Sequence, residues 1–309
     1  MPVRFNHRAA LVALAALLGS LTAAQAAELD AKAVQIKTPD QFKWRDPSMR
    51  APNNAVLLGD PAQAGSLFVH INSFVPGKFG EPHYHPNDRY VLVVDGAPWR
   101  GTGNVVDPAH ATRVPKGTFM IEQAGKVHWD GTKDEGGAYF IIEIPPSGQT
   151  PVPKEPGPWH GGDPSASKII TSNEIPWQGA RHNEHALLAG DPSKPGVYVA
   201  MSKWPKGSFS HPHFHSTDRY VYVLDGTWWV GTGNKLDPEH LAVPVKAGSF
   251  ATEAGKEVHW AGARDAEATI LIFGQGPISS TEVEEAKYRP LEPWRQVPAM
   301  GCNKLKLLM

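Results

Sequence analysis

Most of this chain is written twice, and that feature limits its fold more than any other. The run His83-Tyr84-His85-Pro86-Asn87-Asp88-Arg89-Tyr90-Val91 returns as His213-Phe214-His215-Ser216-Thr217-Asp218-Arg219-Tyr220-Val221. Asp95-Gly96 returns as Asp225-Gly226, Gly101-Thr102-Gly103-Asn104 as Gly231-Thr232-Gly233-Asn234, and Val127-His128-Trp129 as Val258-His259-Trp260. The offset stays near 130 residues throughout. A period that long marks the tandem duplication of a whole domain, not a short solenoid repeat.

Within each copy the local signals are those of strands. Tyr90-Val91-Leu92-Val93-Val94 and Tyr220-Val221-Tyr222-Val223-Leu224 are β-branched and aromatic runs that end in Asp-Gly, a hairpin signal. Ala138-Tyr139-Phe140-Ile141-Ile142 and Ala268-Thr269-Ile270-Leu271-Ile272 read as buried strands. Short strands between frequent turns predict an all-β chain of two barrels or sandwiches. A stretch dense in Pro and Gly, from Pro145 to Pro164, reads as the connector between them. The predicted organisation is a leader over 1–26, a first domain over 27–155, a second over 156–280, and a tail over 281–309 in which Thr281 to Tyr288 suggests a helix.

The first residues carry Arg4, His7 and Arg8, then the apolar run Ala9 to Leu21, then Ala24-Gln25-Ala26. That order of charged, apolar and small residues is what signal peptidase reads, and the run is too short for a membrane span. Cleavage after Ala26 and a periplasmic or secreted destination are expected, with no membrane anchor left. The single Cys302 cannot form an intramolecular disulfide, and a Cys-rich zinc site is excluded. Formal charge is −1, or −3 once Arg4 and Arg8 leave, and no basic block points to nucleic acid. The expected partner is a small molecule, and the sequence is compatible with a homo-oligomer.

The chemistry sits in the repeated histidines. His83 and His85 are at i and i+2, so on a strand they share one face, roughly 6.6 Å apart. His128 comes much later, at the head of another predicted strand, and the second copy repeats the set as His213, His215 and His259. Neutral imidazoles so grouped suit a divalent transition metal. A lone His-x-His is more often a solvent-facing pair; recurrence with a third histidine at matched spacing argues otherwise.

The residues Gly80, His83, His85 and Gly96, followed by Ala124-Gly125-Lys126-Val127-His128, resemble the two motifs of the cupin superfamily, and the second copy offers His213, His215, Gly226 and His259. The resemblance spans nearly the whole mature chain. It implies two tandem double-stranded β-helix (jelly-roll) barrels, each with a metal bound by the two His of the first motif and the His of the second. Two departures stand out. Gln123 occupies the second motif's proline position, and the glutamate of the first motif is missing, its place held by Arg89 or Tyr90 and by Arg219 or Tyr220. Guanidinium has no lone pair for a metal; Asp88 and Asp218 lie nearby at a shifted spacing.

In ligand set the chain resembles three-histidine cupin dioxygenases, which implies a metal-dependent oxygenase on a small oxygen-rich molecule, with iron(II) favoured and zinc or manganese as alternatives. Arg89 and Arg219 are candidates to anchor a substrate carboxylate, or else form exterior ion pairs with Asp88 and Asp218. The alternatives are a non-redox zinc or manganese isomerase, lyase or hydrolase, and a binding or sensing module like the cupin domains of certain anti-sigma factors. His211 is a candidate fourth imidazole, Trp129 and Trp260 should point away from the metal, and Trp99, Trp228 and Trp229 could wall a pocket. Glu143, a charge in an apolar strand, is a candidate partner behind the site.

Overall fold

The computed structural model describes residues 27–46, 53–179 and 183–285. The predicted leader, Cys302 and the chain past Glu285 lie outside them. Among the described residues the only helical turns are two short 3-10 pieces, Pro39–Gln41 and Pro108–His110; the rest is strand, turn and loop.

Each copy folds into two antiparallel sheets facing one another. In the first, a seven-stranded sheet built around Arg89–Gly96, Gly137–Glu143 and Phe68–Phe74 faces a five-stranded sheet holding His83–Tyr84, His128–Gly131 and Trp99–Thr102. The second copy repeats this with Arg219–Asp225, Ala268–Gly276 and Gly196–Trp204 against His213–His215, His259–Ala263 and Thr227–Thr232. The chain therefore has the tandem barrel architecture that the duplicated pattern predicted.

Strand alternation assigns the two faces of each large sheet. Leu92, Phe119, Phe140 and Ile142 face outward and join Tyr222, Phe250, Leu271 and Phe273 of the other copy in one shared core. The opposite face lines the barrel interiors: Val91, Val93, Met120, Tyr139 and Ile141 in the first, Val221, Val223, Ala251 and Ile270 in the second. Arg89 and Arg219 head these inner rows, two residues before Val91 and Val221, and so point into the barrels.

The sheets also exchange strands. Val34–Lys37, early in the chain, pairs with Phe250–Glu253 of the second barrel, and Ser167–Ile170, past the connector, pairs with Phe119–Glu122 of the first. A cut near residue 156 thus separates the repeats in sequence, while each large sheet is completed by a strand from the other side of that cut. The described part of the predicted tail helix is extended instead: Ser280–Glu282 pairs with His213–His215, because the histidine strand needs an edge partner.

Trp129 and Trp260 point away from the histidines, as expected, and are fully buried. A Cβ on Gly101 or Gly231 would lie 2.0 Å from the ring carbon Cζ2 of Trp129 or Trp260 respectively, so only glycine fits there. Gly101→Ala should cost about 1–3 kcal/mol or more through overpacking, read as a drop in the urea midpoint; an unchanged midpoint would contradict the packing.

Candidate metal centres

Register brings the histidines together. His83 and His128 are direct antiparallel partners, as are His213 and His259, and His85 and His215 follow on the same face. Ring centroids lie 4.6–5.1 Å apart in the first trio and 4.7–5.2 Å in the second. Within each trio the ligand nitrogens all fall within 4.8 Å of one another.

The outward nitrogens fix which atom faces the centre. Nδ1 of His83, His128, His213 and His259 each meets the carbonyl two residues upstream, at 2.8–3.1 Å, and Nδ1 of His85 meets the Gly148 carbonyl at 2.6 Å. A carbonyl only accepts, so these nitrogens carry the proton and each Nε2 presents a bare lone pair. His211 contributes its backbone carbonyl to His213; its ring is not in the cluster.

Burial, and secondarily Arg89 or Arg100, lowers His85 and His128 to about 4; burial lowers His213 to about 4 and His215 to about 2. These four imidazoles are thus neutral at ordinary pH, the form that ligates.

The carboxylate absent from the first motif arrives on another strand. Glu122 and Glu253 end the runs Phe119-Met120-Ile121-Glu122 and Phe250-Ala251-Thr252-Glu253. Alternation puts them on the inner face beside Met120 and Ala251. Glu122 Oε2 lies 3.6 Å from His85 Nε2 and 3.8 Å from His128 Nε2, and Glu253 Oε1 lies 3.3 Å from His259 Nε2. Both carboxyls are buried, which alone would raise them. Arg100 and Arg89 in the first barrel, and chiefly Arg219 in the second, outweigh burial and hold them well below the usual carboxylate range. Asp88 and Asp218 are accounted for otherwise: each accepts from a backbone N–H, of Ala124 and Gly255. The sequence clue to Glu122 and Glu253 was a carboxylate ending the same apolar strand in both copies, six residues before the third histidine.

Nε2 of His128, His215 and His259, Oε2 of Glu122 and Oε1 of Glu253 are buried without a hydrogen-bond partner. Native interiors rarely leave such acceptors orphaned. Three imidazoles with converging lone pairs and an adjacent carboxylate fit a divalent metal ion, and the residues that would hold it are His83, His85 and His128 with Glu122, and His213, His215 and His259 with Glu253.

Arg89 and Arg219 are not exterior ion pairs. Arg89 is buried, with Nη1 2.6 Å from His85 Nε2 and 3.5 Å from Glu122, Nη2 3.2 Å from His70 Nε2, and Nε 3.5 Å from Glu143. Glu143 also meets His70 Nε2 at 3.1 Å, so it stands behind the arginine. Arg219 pairs with Glu253 through Nε.

The linings then diverge. Arg100, which pairs with Asp130 and with Glu122 at 2.7 Å, is cross-strand partner of Asp130; the second barrel has Val230 opposite Ala261. Tyr139, whose hydroxyl donates to Asp130, has its counterpart in Ile270. Trp228 and Trp229 are buried core, and Trp99 and Trp229 carry the cations of Lys133 and Arg264 on their faces; none of the three lines either metal-centre cavity described below.

No family model matches the chain, and no curated protein matches it by sequence. Solved structures do match its fold. The Lactobacillus farciminis oxalate decarboxylase formate complex superposes with TM-score 0.57 at 14% identity, over 80% of this chain and 88% of that one. A mutant salicylate 1,2-dioxygenase from Pseudoaminobacter salicylatoxidans, in complex with gentisate, gives 0.54 at 10% over 82% and 87%, and vicilin from Corylus avellana 0.54 at 12% over 80% and 87%. These likenesses show the fold: the chain is folded as two tandem cupin barrels. At such identities the likeness is one of fold.

Glu122→Gln should weaken binding of a divalent ion to the first barrel by roughly 10- to 100-fold, while Asp88→Asn leaves it unchanged; titration of the stripped protein reads both. Acid is a second probe. A histidine whose folded pKa lies below its unfolded value near 6.5 takes up its proton more readily when unfolded. Its stabilisation is whole above about pH 6.5 and is lost as pH falls towards 4. The melting temperature of metal-stripped protein should hold above pH 7 and fall steadily from 6.5 to 4; a flat profile across that window would count against neutral buried imidazoles.

Proposed function

We propose that the first barrel is the reaction centre of an exported, metal-dependent oxygenase acting on a small, oxygen-rich carboxylate. The observation that carries this reading is Arg89: a buried guanidinium beside the metal-facing nitrogen of His85, on the wall of a cavity of about 630 Å³ that His83 and Glu122 also line. A bound iron(II) would supply open coordination positions and a redox path by which electrons of the substrate reach dioxygen, whereas zinc would supply Lewis acidity alone.

The residues of the chain do the rest. Backbone carbonyls hold the imidazoles in one tautomer and one orientation. Glu122 offsets part of the positive charge placed among them. Arg89 donates through Nη1 to the His85 lone pair; were that lone pair engaged by an ion, Nη1 would be free to donate to a substrate carboxylate oxygen. Asn72 and Gln149 offer polar contacts on the cavity wall, while Phe74 and Ile141 keep part of it apolar and exclude water.

A second reading rests on Glu122. Three nitrogens and one carboxylate oxygen also suit manganese and non-redox chemistry, and one structural neighbour is an oxalate decarboxylase. A sensor with its ion closed off is disfavoured by the open cavity.

Elemental analysis of protein recovered from its native compartment, with oxygen uptake measured on small hydroxy-, keto- and dicarboxylates, tests the reading. Iron, and oxygen uptake lost in His85→Ala but kept in His215→Ala, is expected. Arg89→Lys should raise KM by roughly 10- to 100-fold, the worth of a hydrogen bond to a charged group. Carbon dioxide release without oxygen uptake, on manganese or zinc protein, would establish the second reading instead. Mass spectrometry of the exported chain should find Ala27 as its first residue.

A further inference from the structure

The second barrel opens to its own cavity, about 540 Å³, and the chemistry there differs from the first. Its wall includes His215, Arg219, Tyr198, Ala200, Ile272 and Ile278, and no carboxylate among the described residues. The first cavity, by contrast, carries Glu81, Glu122 and Asp130.

The difference follows from substitutions at matched positions. His70 faces Ile141 across its strand pair; the second barrel has Ala200 facing Ile272. Glu143 pairs with Phe68, and the corresponding pair is Gly274 with Tyr198. A Cβ on Gly274 would lie 2.8 Å from the Tyr198 hydroxyl oxygen, so the glycine is what admits that hydroxyl. The hydroxyl is buried and has no hydrogen-bond partner, and it lies near enough to Arg219 for each to perturb the other. Burial pushes the Tyr198 phenol up to about 12, so it stays a protonated donor.

Arg219 is also differently employed. Both terminal nitrogens of Arg89 are taken, by His85 and His70. Among the described residues Arg219 pairs only with Glu253, through Nε, which leaves its terminal nitrogens for a ligand. Two terminal guanidinium nitrogens left open beside the Glu253 pair, an unused hydroxyl donor and a largely apolar wall that carries no carboxylate of its own, with Gln178 and His185 at its polar edge, together define a receptor for one negative charge on an apolar body.

We infer that the second barrel is a separate binding site for a monocarboxylate with an apolar body, held at its charged end by Arg219 and Tyr198, rather than a repeat of the first barrel's site. The inference does not depend on what the first barrel catalyses.

Calorimetric titration of the whole protein, as purified, with benzoate and separately with oxalate tests it. Benzoate should bind one site per chain. Ala200→Leu, which fills the apolar wall, and Tyr198→Phe, which removes the donor and keeps the ring, should each weaken benzoate at least about tenfold and leave metal content and the oxalate response unchanged. His70→Ala in the first barrel should leave benzoate binding intact. No benzoate binding up to millimolar concentration, binding untouched by both second-barrel substitutions, or binding lost with His70→Ala would each overturn the inference. A folded but catalytically silent first barrel would leave it standing.

Discussion

The antiparallel register that sets His83 opposite His128, and His213 opposite His259, is the constraint on which both centres depend. A slip of one residue would turn every side chain of a strand to the other face, sending the imidazoles out and Trp129 or Trp260 in. The structure guards that register from both sides. Thr150–Pro151 lies against His83–Tyr84, and Ser280–Glu282 against His213–His215, so neither histidine strand is an open edge. Gly101 and Gly231 leave the neighbouring strand room for only one placement of the indole. The ligand geometry is therefore a consequence of sheet pairing, with few loop conformations to hold.

Charge is the second constraint. A carboxylate in a barrel interior is costly unless paired, and each glutamate is paired by the arginine directly across the strand: Arg89 with Glu122, Arg219 with Glu253. The arginine cannot ligate, but it stabilises the carboxylate beside the imidazoles. The Asp-Arg-Tyr sequence that breaks the expected motif is thus half of a replacement device, whose other half lies on a strand more than thirty residues away.

This explains what could and could not be read from the chain. The repeat, the all-β character and the six histidines were legible because each is a local pattern that occurs twice. Glu122 and Glu253 stand outside both motifs, far from the position where the expected glutamate is missing; a strand ending in a carboxylate in both copies is the signal that marks them. The burial of Arg89 was hidden because an Asp-Arg pair at a strand start looks solvated, and only the two-residue alternation with Val91 and Val93 points it inward. Exchange of Val34–Lys37 and Ser167–Ile170 rests on four-residue strands whose partners lie in the other half, beyond the reach of any local pattern.

Duplication also explains how two centres with one ligand frame come to differ. The frame is set by backbone pairing and by a handful of ligands, all retained in both copies. The inner lining is not so bound: Arg100, Asp130 and Tyr139 on one side stand against Val230, Ala261 and Ile270 on the other, each exchange made at a matched cross-strand position. Such exchanges must be concerted, because a buried arginine without its aspartate would be strongly destabilising. The polar set of the first barrel is complete and the second barrel has none of it. A bicupin fold that also carries a vicilin leaves function to these linings, and here the linings, not the metal ligands, are where the two halves of the chain have parted.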